Sequence, residues 1–402
     1  MKSKSEEMLK NRRDKLTVII DGNDEKLDFL TQFFSNTNVV KVCKRRGHSL
    51  RPVLSKLVQK QIEHLELSGI LKDDHLRRLS STFSNVKHLK LSFDDGLLFT
   101  EVGISLMLLK FKNLESVEFS TLGEPLWFVA PNTTDAMASH QFLSVLHLKN
   151  VFFALDEFQK LIEAKATNLK CLELEYYGDD PIDANSLLKE IFDNCKNLIK
   201  LKLVFYYISI GNAEMLDIPC LTSLYLAFNN FVLTPYSEQF KSVIDLKLCI
   251  KETSDENFAR ILSSFPNVEN LTMKWCLYES SLTSLAISRL NKLKKLIIAS
   301  SLLVDPIFNE NDVEQIFEFP SVRSGYSQNV TRILTAARKC VRFELHKISS
   351  EEELTAIVDA FEQIANERSD EIIKVKFFDY QPVFRPLPHN LKLTFKSVHP
   401  TQ

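Results

Sequence analysis

Along most of this chain apolar side chains recur in the pattern apolar-x-x-apolar-x-apolar. The pattern first appears at Ile62, Leu65, Leu67 and returns at Val86, Leu89, Leu91; Leu114, Val117, Phe119; Leu143, Leu146, Leu148; and Leu169, Leu172, Leu174. It continues through Leu198, Leu201, Leu203; Leu221, Leu224, Leu226; Val243, Leu246, Leu248; Val268, Leu271, Met273; and Leu293, Leu296, Ile298. Successive starts lie 24, 28, 29, 26, 29, 23, 22, 25 and 25 residues apart. The last two apolar positions of each match are two residues apart, so on a short strand both point to the same face. Between these strands the period turns helical. Phe258, Ile261, Leu262 and Phe265 follow i, i+3, i+4, i+7, with Thr253 and Glu256 placed as a capping box ahead of them. Ser350 and Glu353 stand in the same relation to Leu354, Ile357, Val358, Phe361 and Ile364.

An interval of roughly 20–29 residues with this apolar signature is that of a leucine-rich repeat. The expected fold class is therefore α/β: a leucine-rich-repeat solenoid, or horseshoe. Parallel strands would line its concave face and helices its convex face, because a wide helix and a narrow strand stacked at one period force the stack to bend. Leu16 to Ile20 reads as a strand and Glu25 to Phe34 as a helix, an N-terminal closing unit. Past the ten matches, Cys340, Phe343, Leu345 and Ile372, Val375, Phe377 fit the pattern. Ser301 to Thr331 fits poorly and is expected to be a degenerate repeat or a long loop. The organisation expected is a lead and capping unit over 1–60, the repeat array over 61–300, and degenerate repeats with a cap, continuous with the array, over 301–402.

Two repeats extend the pattern. Cys195-Lys-Asn-Leu198 opens one with a cysteine three residues before the first leucine, and Met273-x-x-Cys276 closes another with a cysteine three residues after the last apolar position. Both resemble the cysteine-containing repeats of F-box/leucine-rich-repeat proteins, substrate receptors of cullin-based ubiquitin ligases. The resemblance spans Ile62 to Ile298 and implies a substrate-binding surface, with a Skp-type adaptor and a cullin as assembly partners. Asn229 holds the usual asparagine place of one repeat, whereas Ile70, Asp94, Tyr177, Tyr206 and Ser301 stand there in others. No F-box is visible in Met1 to Val40, which reads as a basic lead, a strand and a helix. The alternative is a stand-alone scaffold or inhibitor with no ligase role.

Composition narrows the chemistry. A net charge of -2 from 50 basic and 52 acidic residues offers no overall field for nucleic acid or anionic lipid. Seven cysteines without a Cys-x-x-Cys pair read as buried small hydrophobes in a reducing compartment. A charged N-terminus and the lack of any apolar run near 20 residues argue against secretion and membrane insertion, so a cytoplasmic or nuclear location is expected. The sequons at Asn132, Asn270 and Asn329 carry little weight without a secretion route. No phosphate-binding loop, nucleophile elbow or His-x-x-x-His spacing occurs, so no catalytic residue, cofactor or metal is assigned. A metal site would have to be assembled from separate repeats.

A binding surface is what the pattern does predict. The residue between the last two apolar positions gives an outward column: Glu66, Lys90, Glu118, His147, Glu173, Lys202, Tyr225, Lys247, Thr272 and Ile297. The first six nearly alternate in sign, and at about 4.8 Å between strands they can neutralise one another or form a charged docking strip. Two residues past the last apolar position stand Phe93, Tyr176, Phe205, Phe228 and Trp275, a candidate stripe of partner-binding aromatics, or else side chains packed under the strand ends. Thr121 to Gln141, with Pro125, Trp127, Phe128 and Pro131, is a longer connection that either overhangs one edge or tucks against a neighbour.

Overall fold

The computed structural model describes residues 16–20, 39–44, 54, 62–93, 99–121, 126–128, 131–176, 183–234, 239–274, 281–299, 326–337, 339–346, 351–378 and 386–396. The chain divides into two compact units, Met1–Gly178 and Asp179–Gln402. The first contains β1 (Leu16–Ile20), β2 (Val39–Lys44), β3 (His64–Gly69), α1 (Asp73–Thr82), β4 (His88–Phe93) and α2 (Glu101–Lys110). It goes on with β5 (Ser116–Thr121), β6 (Leu126–Phe128), α3 (Pro131–Ala138), β7 (Val145–Lys149), β8 (Val151–Phe153), α4 (Leu155–Lys165) and β9 (Cys171–Tyr176). Its main sheet runs β1-β2-β3-β4-β5-β7-β9 with every described pairing parallel, and β6 pairs separately with β8.

The second unit contains α5 (Ala184–Asn194), β10 (Lys200–Ala213), β11 (Ser223–Leu233), β12 (Asp245–Glu252), α6 (Asp255–Ser263), β13 (Asn270–Lys274) and α7 (Ser281–Ser288). It closes with β14 (Lys295–Ala299), α8 (Tyr326–Ala336), β15 (Arg342–His346), α9 (Glu351–Glu367), β16 (Ile373–Phe378) and β17 (Leu391–Lys396). Strands β10 to β17 are parallel and in chain order. Each unit is thus α/β leucine-rich-repeat solenoid, with helices against one face of a parallel sheet and the other face left to solvent.

The core follows from the apolar pattern. All thirty apolar positions of the ten matches are 0–2% exposed. Strand register places them in columns, Leu65 against Leu89, Leu89 against Val117, Val117 against Leu146 and Leu146 against Leu172. Burying each such side chain contributes about 1.5–3 kcal/mol, enough for small repeated units to hold together by stacking. Asparagines just before the first apolar position fasten neighbouring turns, since Asn168 Nδ2 donates to the Gln141 carbonyl and Asn267 Nδ2 to the Lys241 carbonyl, each at 2.8 Å.

Helices are joined in the same serial fashion. An acidic side chain in the first turn of one helix accepts from the free N–H groups at the start of the next, where the macrodipole also favours negative charge. Asp73 of α1 accepts from Thr100 N at 2.6 Å and Thr100 Oγ1 at 2.8 Å. Glu101 of α2 accepts from Asn132 N at 2.8 Å and Thr133 N at 3.3 Å. Asp255 of α6 accepts from Leu282 N at 2.7 Å and Thr283 N at 2.9 Å. Burial pushes the Asp255 carboxyl up, but hydrogen bonds from Thr283, Leu282 and Ser281 outweigh it and hold the group below its ordinary value.

The sequence pattern needs correction in several places. The cap of α6 is Ser254, whose hydroxyl accepts from Asn257 N at 3.1 Å, so the helix begins one residue later than a Thr253 box requires. Thr253 Oγ1 instead accepts from Asn257 Nδ2, and Glu256 pairs with Arg260. The shortest repeats, which start 23 and 22 residues apart at Leu198, Leu221 and Val243, show no helix among their described residues. There β10 and β11 run on for 14 and 11 residues in place of a helix. Thr121 to Gln141 is not merely a loop, since it holds β6 and α3. Ile372 is 51% exposed, and its neighbour Ile373 opens β16 on the buried face. Strands β2 and β17 extend the sheet beyond the elements the pattern marked. The expected helix over 25–34, the Ser350 cap and most of 301–331 lie outside the described residues.

Candidate functional site

The face of each sheet opposite the helices is where side chains remain available, and its chemistry differs between the units. In the first unit the outward column largely satisfies itself. Lys41 lies 3.7 Å from Glu66, Lys90 pairs with Glu118, and His147 Nε2 lies 3.6 Å from Glu173 Oε1. One residue pair further along the strands, Lys149 meets Glu175 at 3.5 Å and the Ser92 and Ser120 hydroxyls are 3.1 Å apart. On the other side of the column His64 and His88 stack with ring centroids 4.1 Å apart, and burial, then the neighbouring His64, lowers the His88 pKa. Opposite signs on adjacent strands attract, so this face presents little net charge.

In the second unit the column opens on Lys202, Tyr225 and Lys247, with the two ammonium groups 5.5 and 5.8 Å from the tyrosine ring centroid. Beside the end of that column, two residues earlier on the strands, lies a concentration of positive charge. From β14 to β17 the outward residues on one register line are Lys295, Arg342, Lys374 and Lys392. Lys376 and Lys396 lie further along β16 and β17, and Glu344 is the one carboxylate on these four strands. Glu344 sits between Lys295 at 3.0 Å and Lys376 at 3.2 Å. Burial raises its pKa, but the hydrogen bond and charge of Lys295, then those of Lys376, outweigh this and hold the carboxyl below its ordinary value. Arg342, Lys374, Lys392 and Lys396 are exposed and pair with no acid among the described residues.

Three of the five stripe aromatics are buried rather than exposed. Tyr176, Phe205 and Phe228 are each 0–1% exposed, Tyr176 in the first unit and the two phenylalanines in the second. Phe205 and Phe228 stack at 5.7 Å, and Phe228 stacks on Phe231 at 5.2 Å. Parity explains it. Leu172, Leu174 and Tyr176 are residues i, i+2 and i+4 of one strand, as are Leu224, Leu226 and Phe228, so the aromatics share the buried face with the leucines. Phe93 ends β4 at the corresponding position, its side chain outside the described residues, as is all of Trp275.

The cysteines separate by environment. Cys195, Cys249 and Cys340 are buried small hydrophobes, and burial pushes each thiol up to about 12. Cys220 is exposed and Cys43 and Cys171 are partly so, contrary to the expectation of uniform burial. Asn229 donates to the Ser209 hydroxyl at 3.2 Å, whereas Asn257 serves the backbone, donating to the Phe231 carbonyl at 2.6 Å and accepting from Leu233 N at 3.2 Å.

No helix among the described residues is long and apolar enough to cross a membrane. The chain matches no protein-family model and no curated protein. Among solved structures it is similar to the leucine-rich repeat-containing protein LegL7 from Legionella pneumophila, with 12% identity and a TM-score of 0.39 over 88% of this chain and 98% of that one. It is also similar to a chain from the complex of Rad7 and Elc1 in yeast, with 13% identity and a TM-score of 0.38 over 98% of this chain and 93% of that one.

Proposed function

We propose that this chain is a protein-recognition solenoid which takes an acidic segment of its partner across the exposed face of β14 to β17. The observation that carries this reading is the row Lys295, Arg342, Lys374, Lys392 on four adjacent strands. Like charges placed side by side are unfavourable, and here they are left largely uncompensated, unlike the paired column of the first unit. Three strand spacings make the row about 14 Å long, the span of roughly four residues of extended peptide. A short run of Asp and Glu fits it in length and charge.

The finer role proposed is the substrate-binding part of a ubiquitin-ligase receptor of the F-box/leucine-rich-repeat kind, assembled with a Skp-type adaptor and a cullin. It is supported by the cysteine-containing repeat, with Cys195 buried at the turn that opens its repeat. Binding rather than catalysis is the activity assigned.

Fluorescence anisotropy with a labelled eight-residue Glu/Asp peptide tests the surface. Binding that weakens with salt and falls at least tenfold in Lys374→Glu/Lys392→Glu supports the reading. Indifference to that double reversal, or preference for a single-stranded oligonucleotide at equal salt, overturns it. Co-purification of a Skp-type adaptor and cullin with the full chain tests the ligase role. A defined partner recovered without them, its half-life unchanged when this chain is removed, would leave a stand-alone scaffold or inhibitor.

A further inference from the structure

On the exposed face of the first unit, three potential metal donors of different chemistry converge from two adjacent strands. His147 lies on β7, and Cys171 and Glu173 lie two residues apart on β9, where alternation sends both to the same face. Strand register sets His147 directly against Glu173. His147 Nε2 is 3.4 Å from Cys171 Sγ and 3.6 Å from Glu173 Oε1, and Cys171 Sγ is 4.0 Å from Glu173 Oε1. All three ligand atoms lie within 4.8 Å of one another.

These separations can be compared with what a tetrahedral ion requires. Zinc binds imidazole nitrogen at about 2.0–2.1 Å, thiolate sulfur at about 2.3 Å and carboxylate oxygen at about 2.0–2.2 Å. At tetrahedral angles those lengths place the donors roughly 3.4–3.6 Å apart. Two of the three separations already match, and the sulfur-to-oxygen one needs a closure of a few tenths of an ångström, within reach of a small side-chain rotation. We propose that His147, Cys171 and Glu173 form a three-ligand site for a zinc-class divalent cation, with the fourth coordination position open to solvent.

The donor set suits that class. Nitrogen, sulfur and oxygen together favour zinc or cobalt(II) over magnesium or calcium, which take oxygen ligands alone. Partial exposure keeps the site reachable, since the His147 and Glu173 side chains retain 29% and 14% of their surface. Cys171 is likewise half-buried, unlike Cys195, Cys249 and Cys340, whose burial disfavours the thiolate a metal needs. Binding the ion replaces the hydrogen-bonded contacts among the three side chains and releases the thiol proton, so affinity rises with pH until the thiol is fully ionised.

Cobalt(II) titration of the full, reduced chain is the test. The expected result is one equivalent bound with a thiolate-to-cobalt charge-transfer band and tetrahedral ligand-field bands, both displaced by zinc. Cys171→Ser abolishes the charge-transfer band, and His147→Ala and Glu173→Gln each weaken binding by more than the roughly 10–100-fold that loss of an outer-shell partner costs. Far-UV circular dichroism establishes that each variant is folded. X-ray absorption of the zinc-loaded unmodified chain needs no variant, and one sulfur among four ligands is the expected result. The proposal is overturned by no charge-transfer band at one equivalent, by a band that survives Cys171→Ser, by equal affinity in both other variants, or by zero or several sulfur ligands.

Discussion

Replacing Phe228 with alanine decides whether the aromatic column is core or contact surface. The ring is 1% exposed and lies between Phe205 and Phe231, with centroids at 5.7 and 5.2 Å. Truncating a buried phenylalanine removes its transfer free energy and leaves a cavity, together about 3–5 kcal/mol. In urea this lowers the midpoint by roughly 2 M if m is about 2 kcal/mol/M. Tyr225 is the internal control. It lies three residues earlier on the same strand, hence on the opposite face, where alanine forfeits two cation–π contacts of about 0.5–1 kcal/mol each and opens no cavity. Full-chain unfolding followed by far-UV circular dichroism should therefore rank Phe228→Ala well below Tyr225→Ala and Tyr225→Ala near the unmodified chain. A Phe228→Ala protein with an unshifted midpoint and lost acidic-peptide binding would refute the parity argument and restore the ring to the binding surface.

Other consequences follow from the helix caps and surface pairs. Asp255→Ala should cost about 0.5–2 kcal/mol and speed hydrogen exchange at Leu282 and Thr283. Because the folded Asp255 pKa lies below its ordinary value, the stabilisation is complete above the unfolded carboxyl pKa of about 3.9 and is lost as pH falls through the lower folded value. Urea midpoints of Asp255→Ala and the unmodified chain should thus converge in acid, and a gap that persists at low pH would contradict the assignment. Gly103→Ala would place a Cβ 2.1 Å from Asp73 Oδ1, displacing the carboxylate that caps α2. It should destabilise alone and cost less in an Asp73→Ala background, where only the close approach to the residue 73 Cα at 3.2 Å remains, against alanine's helix preference over glycine of about 1 kcal/mol. Lys90→Ala, which removes a half-buried partner of Glu118, should change stability by no more than about 1 kcal/mol in thermal or urea melts.

Much of the fold was legible because two periods carried it. Leucines two residues apart on each strand and apolar residues at helical spacing place all thirty repeat positions in the core, with the faces Phe258 to Leu262 and Leu354 to Phe361 of two helices. What escaped was set by context rather than by period. Strand β2 pairs with β3 on only two buried valines, Val40 and Val42, too short a signal to separate from chance. The long β10 and β11 stand where the helical period between strands led to the expectation of a helix. The cap at Ser254 rather than Thr253 is a one-residue choice between two hydroxyls that sequence alone leaves open.

The proposed binding surfaces were harder to read because chemistry on a solenoid is laid out across repeats, not along them. Searching the chain linearly, His147 and Cys171 are 24 residues apart and resemble no ligand pair. Counted from the leucines, His147 lies between Leu146 and Leu148, Glu173 between Leu172 and Leu174, and Cys171 just before Leu172. Stacking of successive strands about 4.8 Å apart brings those offsets together. The same count, one residue before the inward apolar position, gathers Lys295, Arg342, Lys374 and Lys392, which lie as much as 97 residues apart in sequence, into one basic row. Parity applied in this frame also sends Tyr176, Phe205 and Phe228 inward, since they stand an even number of residues from the leucines. Offset from the repeat leucine, rather than residue type or linear spacing, is therefore what separates a core aromatic from a surface side chain in this chain.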